Sequence, residues 1–143
     1  MSALTQIGNA PTWWALGIGL AAVGGTARRP ALLLSGAAVL ATAASQVIKR
    51  TATRPRPNPQ VLGFSALAEH PDRFSFPSGH TTAAFAVAVA LAGEGAYLGP
   101  ASLALAVGIA TSRVYLGAHY PLDVIAGAAL GGVAGLVVRS VIG

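Results

Sequence analysis

The sequence predicts an all-α integral membrane protein, a bundle of about five transmembrane helices with its reactive polar residues at one membrane face. Three observations carry this. Of the 143 residues, 54% are apolar and only 9% are charged, whereas a soluble domain carries about 25% charged residues. So few charges cannot cover a water-soluble globule of this length. The apolar residues also fall in long blocks, as bilayer-spanning helices require. The remaining charge is concentrated: Lys49, Arg50, Arg54, Arg56 and Arg73 put five of the nine basic residues in one stretch.

The blocks run from Thr12 to Ala27, Ala31 to Ile48, Thr81 to Leu98, Pro100 to Leu116 and Pro121 to Ile142. A spanning helix needs about 20 apolar residues, with about 17 at the short end. The second and fifth blocks meet this, and the others are marginal. Glu94, between Gly93 and Gly95, points to an early end for the third. The fifth block carries Gly127, Gly131 and Gly135 at four-residue spacing, and the second carries Ala37, Ala41 and Ser45. Such stripes let helix backbones approach closely in lipid. Contact inside the bundle is their first reading, and a homodimer through the glycine stripe is left open. The stretch before the first block has no basic n-region, so no cleaved signal peptide is expected. Residues 1–143 read as a single domain.

Between the second and third blocks, Lys49 to Gly79 holds Pro55, Pro57, Pro59, Pro71 and Pro77. Proline at that density excludes a regular helix, so a loop at one membrane face is expected. Counting crossings, the junction of the fourth and fifth blocks, with Arg113 and His119, emerges on the same face. Arg28, Arg29 and Arg139 share the opposite face. The positive-inside rule assigns those three to the cytoplasm and the polar cluster to the extracytoplasmic face of the inner (plasma) membrane. Nucleic acid is not an expected partner, because most of the chain is destined for lipid. The absence of cysteine excludes disulfides and thiolate metal sites.

Three separated pieces carry chemistry. Lys49 to Pro57 offers a lysine and arginines, and the planar guanidinium fork suits phosphate oxygens. Pro77-Ser78-Gly79-His80 opens the third helical run. Ser78 is a candidate N-cap, the helix start favours an anion, Gly79 lets it approach the backbone, and His80 can donate a proton. In the third piece, Pro121 suits a first helical turn. That puts His119 just ahead of the fifth helix and Asp123 inside its first turn, within reach of one ring nitrogen. A carboxylate there would fix the tautomer and leave the other nitrogen free to attack. Ionisable groups flanking membrane helices are costly and so are functional candidates.

Together these pieces resemble the type 2 phosphatidic acid phosphatase (PAP2) family, in the superfamily that includes the vanadium haloperoxidases. The family signature is lysine, six residues, Arg-Pro; then Pro-Ser-Gly-His; then Ser-Arg, five residues, His, three residues, Asp. The chain reads KRTATRPRP, PSGH and SRVYLGAHYPLD, in order and without substitution, from Lys49 to Asp123. The resemblance implies that Lys49, Arg56 and Arg113 clamp phosphate oxygens, with hydrogen bonds from Ser78 and the Gly79 amide. It implies that His119 attacks phosphorus to form a phosphohistidine, Asp123 orients His119, and His80 protonates the leaving oxygen. Arg50, Arg54, His70 and Arg73 fall outside the signature and receive no catalytic role.

Phosphoryl transfer depends mainly on positioning and on charge stabilisation. Three cations and a helix start can supply both, and the acids Glu69, Asp72, Glu94 and Asp123 form no sequence cluster suited to magnesium. No metal or other cofactor is therefore expected. The expected substrate is a lipid phosphate whose tail stays among the membrane lipids. Phe64, Leu67, Phe74 and Phe76 would dip into the interface or line an entrance. The family offers polyprenyl phosphates or diphosphates and prenyl-linked phosphosugars of bacterial cell-envelope synthesis, with phosphatidic acid or phosphatidylglycerol phosphate as alternatives. A non-catalytic lipid-binding or transport protein is the reading of another class, opposed by the intact His80, His119 and Asp123. Halide oxidation on vanadate is the remaining one, opposed by the larger, soluble character of those relatives.

Overall fold

The computed structural model describes residues 10–57 and 74–142. They form five helices: α1 (Ala10–Val23), α2 (Arg28–Ala52), α3 (Gly79–Ala90), α4 (Leu98–Tyr115) and α5 (Pro121–Ile142). A single 3-10 turn, Gly25–Ala27, joins α1 to α2. The expected Phe64, Leu67, Glu69, His70, Asp72 and Arg73 lie outside the described residues.

Two helical stretches, Gly25–Ala52 and Pro121–Ile142, are long and apolar enough to cross a membrane. They correspond to the second and fifth apolar blocks. α2 runs further than expected, through Lys49 and Arg50, because after Pro30 in its first turn no proline follows until Pro55. Thr53 ends it in the left-handed conformation (φ 40°). Arg54 and Arg56 each precede a proline, which disfavours helix at both positions.

α3 is the centre of the bundle and packs on α2, α4 and α5. At 12 residues it is short, about 18 Å long. The third block was expected to reach toward Leu98, with an early end at Glu94. The helix stops at Ala90, and Gly93 (φ 99°) and Gly95 (φ 118°) turn the chain back in backbone conformations that favour glycine. Ala83, Ala84, Ala86, Val87, Ala88 and Ala90 are all buried. These small side chains let neighbouring helices come close on several sides at once.

The glycine stripe of α5 meets α3. A Cβ on Gly127 would stand 2.8 Å from the Ser78 carbonyl oxygen, one on Gly131 would overlap the Thr82 carbonyl, and one on Gly135 the Ala86 carbonyl. Three successive turns of α5 therefore lie directly on the α3 backbone. The face considered for a homodimer is already filled from within the chain. On α2, Ala37, Ala41 and Ser45 are likewise buried.

The two ends of the bundle differ in kind. Arg29 pairs with Glu94 at 3.1 Å, and the Arg139 guanidinium lies beside Gly93. Arg29 is half exposed, so this pair contributes little to stability, but it shows that Arg29, Glu94 and Arg139 share an end. The last turn of α2, the first of α3, the last of α4 and the first of α5 share the other. The bundle thus keeps Arg29 and Arg139 at the end opposite Lys49, Arg56 and His119.

Candidate active site

Residues 54–57 fold back on residues 74–78 at the loop end of the bundle. Pro55 and Phe74 form an antiparallel bridge. The Ser75 N–H donates to the Arg54 carbonyl at 2.8 Å, and the Ser75 hydroxyl donates to the Pro55 carbonyl at 3.1 Å. Ser75 is fully buried, and its own carbonyl is left to face the α4–α5 connection.

That connection is a tight turn. The Arg113 carbonyl, in the last turn of α4, accepts from the amides of Ala118 (3.1 Å) and His119 (3.3 Å). Gly117 supplies the left-handed residue the reversal needs (φ 65°). His119 emerges from it only 3% exposed. Pro121 then opens α5, and the Asp123 Oδ2 accepts from the Tyr120 N–H at 2.9 Å. The Asp123 carbonyl accepts from the Ser78 N–H at 3.0 Å. This bond ties the Pro-Ser-Gly-His stretch to the start of α5.

The environment of His119 defines its tautomer. Nδ1 lies 2.7 Å from the Ser75 carbonyl oxygen. A carbonyl only accepts, so Nδ1 carries the proton. Nε2 lies 3.3 Å from Arg56 Nη1. A guanidinium only donates, so Nε2 presents its lone pair. Burial above all pushes the His119 pKa down from 6.5 to about 3, with Arg56, Arg113 and Lys49 lowering it further against the opposing hydrogen bond to Ser75. Near neutral pH the ring is uncharged, with a lone pair pointed at a cation.

Asp123 stands beside His119 without a direct hydrogen bond to it. Its Oδ2 is 3.8 Å from His119 Nδ1, beyond hydrogen-bond reach. The carboxylate is fully buried and accepts instead from Arg54 Nη1 at Oδ1 (2.9 Å) and from the Tyr120 amide at Oδ2. The acceptor that orients His119 is a main-chain carbonyl, which stands closer than the carboxylate.

The three signature cations surround this ring. Lys49 is 5% exposed and Arg113 is 1% exposed. Arg56 also donates to the Ala118 carbonyl at 2.9 Å. All three bear on His119 electrostatically. Ser78 is fully buried at the N-cap position of α3, yet its side chain makes no capping bond. Its hydroxyl accepts from Thr81 at 2.9 Å, and its carbonyl accepts from the Thr82 hydroxyl at 2.9 Å. Gly79 and His80 are half-buried in the first turn of α3. The tight bonds from Ser78 to α5 and from Arg56 to the His119 turn bring the three signature pieces to one mouth.

Sequence reasoning passed over Arg54 and Ser75. Arg54 lies in the tandem Arg-Pro-Arg-Pro, where spacing from Lys49 selects Arg56 and leaves Arg54 unassigned. Ser75 acts through its backbone, which no residue type announces.

Comparison with known proteins agrees with this architecture. A profile of the PAP2 superfamily matches residues 30–143. The chain is 40% identical over 129 residues to a decaprenylphosphoryl-5-phosphoribose phosphatase of Mycolicibacterium smegmatis, covering 87% of this chain and 68% of that protein. Among solved structures, it resembles a transmembrane PAP2-type phosphatidylglycerolphosphate phosphatase from Bacillus subtilis, with a TM-score of 0.80 and 25% identity over 98% of this chain and 73% of that one. It also resembles Aquifex aeolicus LpxE, with a TM-score of 0.78 and 28% identity over 97% of this chain and 82% of that one. Five helices that match transmembrane phosphatases, and a signature gathered around one buried imidazole, lead to one conclusion: the chain belongs to the PAP2 superfamily and is an integral membrane lipid phosphate phosphatase.

Proposed function

We propose that the chain removes the phosphomonoester of a prenyl-linked phosphosugar through a phosphohistidine on His119, on the extracytoplasmic face and without a metal. The observation that carries the chemistry is the state of His119: uncharged, protonated on Nδ1 toward Ser75, with Nε2 facing Arg56. This is the form an attacking imidazole needs. Arg56 swings from Nε2 to the phosphate oxygens when substrate arrives, and Lys49, Arg113, Ser78 and the Gly79 amide complete the cradle.

Nε2 gives its lone pair to phosphorus. The bond from phosphorus to the sugar oxygen breaks, its electron pair stays on that oxygen, and His80 supplies the proton. The ring becomes cationic, and the Ser75 carbonyl and the nearby Asp123 carboxylate stabilise it. Water then adds to phosphorus and gives its proton to His80, and the P–N bond returns its electrons to Nε2. Inorganic phosphate leaves and both histidines are restored. Glu94 and Asp123, the acids among the described residues, sit at opposite ends of the bundle, so they do not form a magnesium site.

Two observations support the prenyl phosphosugar. The mycolicibacterial relative is named for such a substrate, and the likeness covers most of both chains. A shallow apolar groove of about 360 Å³ also opens between α4 and α5, floored by Phe85 and walled by Ala110 and Val114 on one side and Pro121 and Ile125 on the other. Val114 adjoins Arg113, and Pro121 is two residues from His119, so a hydrocarbon tail in this groove lies beside the phosphate cradle.

The deciding experiment is phosphate release from a panel of lipid phosphates by detergent-solubilised protein, with and without EDTA and with His119→Ala as control. Preferential turnover of the prenyl phosphosugar, insensitive to EDTA and lost in the variant, is expected. Preference for phosphatidic acid or phosphatidylglycerol phosphate would overturn the substrate reading. Loss of turnover in EDTA with recovery in magnesium would overturn the metal-free reading. The side of the membrane can be read from single-cysteine labelling, since the chain has no native cysteine. Thr51→Cys should react in intact cells, and Ser140→Cys only after permeabilisation.

A further inference from the structure

Arg54 stands outside the phosphate-binding set, yet three contacts tie it to the reacting imidazole. Its Nη1 holds Asp123 Oδ1 at 2.9 Å. Its guanidinium carbon lies 4.4 Å from the centre of the Tyr120 ring, the residue between His119 and Pro121. Its carbonyl accepts the Ser75 N–H at 2.8 Å, and Ser75 in turn accepts the His119 Nδ1 proton at 2.7 Å. The side chain thus fixes the carboxylate below the imidazole, while the main chain fixes the carbonyl that sets its tautomer.

We propose that Arg54 is a positioning residue for catalysis: it holds Asp123 and, through Ser75, keeps the His119 ring aimed for attack, without binding phosphate itself. The inference rests on the reading of His119 as nucleophile.

The physical case begins with Asp123. A fully buried carboxylate is costly unless paired and hydrogen-bonded. Arg54 supplies both a charge and a donor. It also pins Oδ1, so Oδ2 keeps its bond to the Tyr120 amide and its 3.8 Å station from Nδ1. At that distance the carboxylate does not compete with Ser75 for the Nδ1 proton. It still lies close enough to favour the positive charge that builds on the ring as Nε2 bonds phosphorus. Without Arg54, the carboxylate could turn to take the Nδ1 proton from Ser75, and the ring would rotate with it. Small misplacement of a reacting group can cost about a hundredfold in rate.

This role differs from that of a phosphate clamp in what it changes. Arg54 directs its side chain to Asp123 and Tyr120, whereas Arg56 lies on His119 Nε2. Loss of Arg54 should therefore act on turnover and spare affinity. Loss of Arg56 should harm the binding of phosphate analogues directly.

The test compares Arg54→Gln, Arg54→Lys, Arg56→Gln and His119→Ala in the full-length, detergent-solubilised protein. Readouts are kcat and KM for a lipid phosphate and the inhibition constant of orthovanadate. For Arg54→Gln we expect kcat to fall about ten- to a hundredfold, with KM and the vanadate constant within threefold of wild type. Arg54→Lys, which can still donate to Asp123, should recover at least part of the lost kcat. A kcat within twofold of wild type in Arg54→Gln, with His119→Ala inactive, would overturn the positioning role and leave the nucleophile intact. A tenfold weaker vanadate constant in Arg54→Gln would make Arg54 a phosphate ligand and also overturn it. Activity surviving in His119→Ala would instead remove the reading on which the proposal stands. If Arg54→Gln does not fold, Arg54→Ala decides by the same split: reduced kcat at unchanged vanadate affinity supports the role, and unchanged kcat or weakened vanadate binding rejects it.

Discussion

The Ser75 carbonyl oxygen lies 2.7 Å from Nδ1 of His119, over an ångström closer than the Asp123 carboxylate at 3.8 Å. A neutral main-chain acceptor therefore sets the tautomer, and the carboxylate acts at one remove. This ordering, the buried cations around the ring and the close contact of α3 with α5 each have measurable consequences.

The first is a ranking of variants. His119→Ala removes the proposed attacking atom and should leave no phosphohistidine and no burst of inorganic phosphate. Asp123→Asn keeps the shape and an acceptor for Arg54 but loses the acceptor for the Tyr120 amide and the charge facing the ring, and should cost at least about a hundredfold in kcat, in line with loss of a preorganised electrostatic partner. Rapid-quench measurement of phosphate release from both variants checks this. An Asp123→Asn enzyme as dead as His119→Ala would mean that the carboxylate, not Ser75, holds the ring.

Acid stability should report His119. In the folded protein the ring takes its proton only near pH 3, whereas the unfolded chain binds it at about 6.5. Between those values the unfolded state carries more protons, so stability falls as pH falls through that window, by up to about 1.4 kcal/mol per pH unit. Above 6.5 this contribution is complete and flat. Thermal melts across pH 4 to 7 should show the slope in wild type and a shallower one in His119→Gln.

Neighbouring glycines of α5 should behave oppositely. Gly131→Ala drives a methyl group into the Thr82 carbonyl and should destabilise the bundle by about 1–3 kcal/mol, as overpacking does. At Gly132 an added Cβ meets nothing within 4 Å, so Gly132→Ala should be neutral or slightly stabilising. Gly127→Ala presses on the Ser78 carbonyl and should lower activity as well as stability. Melting temperatures and turnover of the three proteins in one detergent make the comparison.

If the α4–α5 groove holds the lipid tail, a bulky side chain there should discriminate by tail length. Thr111 lines the groove and is exposed. Thr111→Trp should reduce kcat/KM at least tenfold for a long prenyl phosphate, while a short-chain, water-soluble phosphomonoester is hydrolysed as before. Equal losses on both substrates would place the tail elsewhere.

Much of this was legible in the sequence because both signals are local. A hydrophobic block long enough to cross a bilayer announces α2 and α5 directly. The signature spacings assign Lys49, Arg56, Arg113 and His119 without reference to the rest of the chain. What escaped depends on non-local contact or on the backbone. The same glycines could have served an internal or an external partner, and only the position of α3 decides. Ser75 was silent because its peptide carbonyl does the work. Spacing alone places Asp123 beside His119, whereas its bond to Arg54, 69 residues away, exists only in the folded chain. The early end of α3 was half visible in Gly93 and Gly95, whose backbone angles confirm why the helix could not continue.

The hydrogen bonds from the Ala118 and His119 amides to the Arg113 carbonyl have a mechanical consequence. Arg113 and His119 are linked through one short turn, so their separation does not depend on how α4 sits against α2. Arg54 and Arg56 are bound to Asp123 and to the same turn, whereas Lys49 belongs to the last turn of α2 and rides with a different part of the bundle. Changes in bilayer thickness or lateral pressure should therefore alter substrate capture while leaving the attack step nearly untouched. In reconstituted vesicles of graded acyl length, KM should drift and kcat should hold.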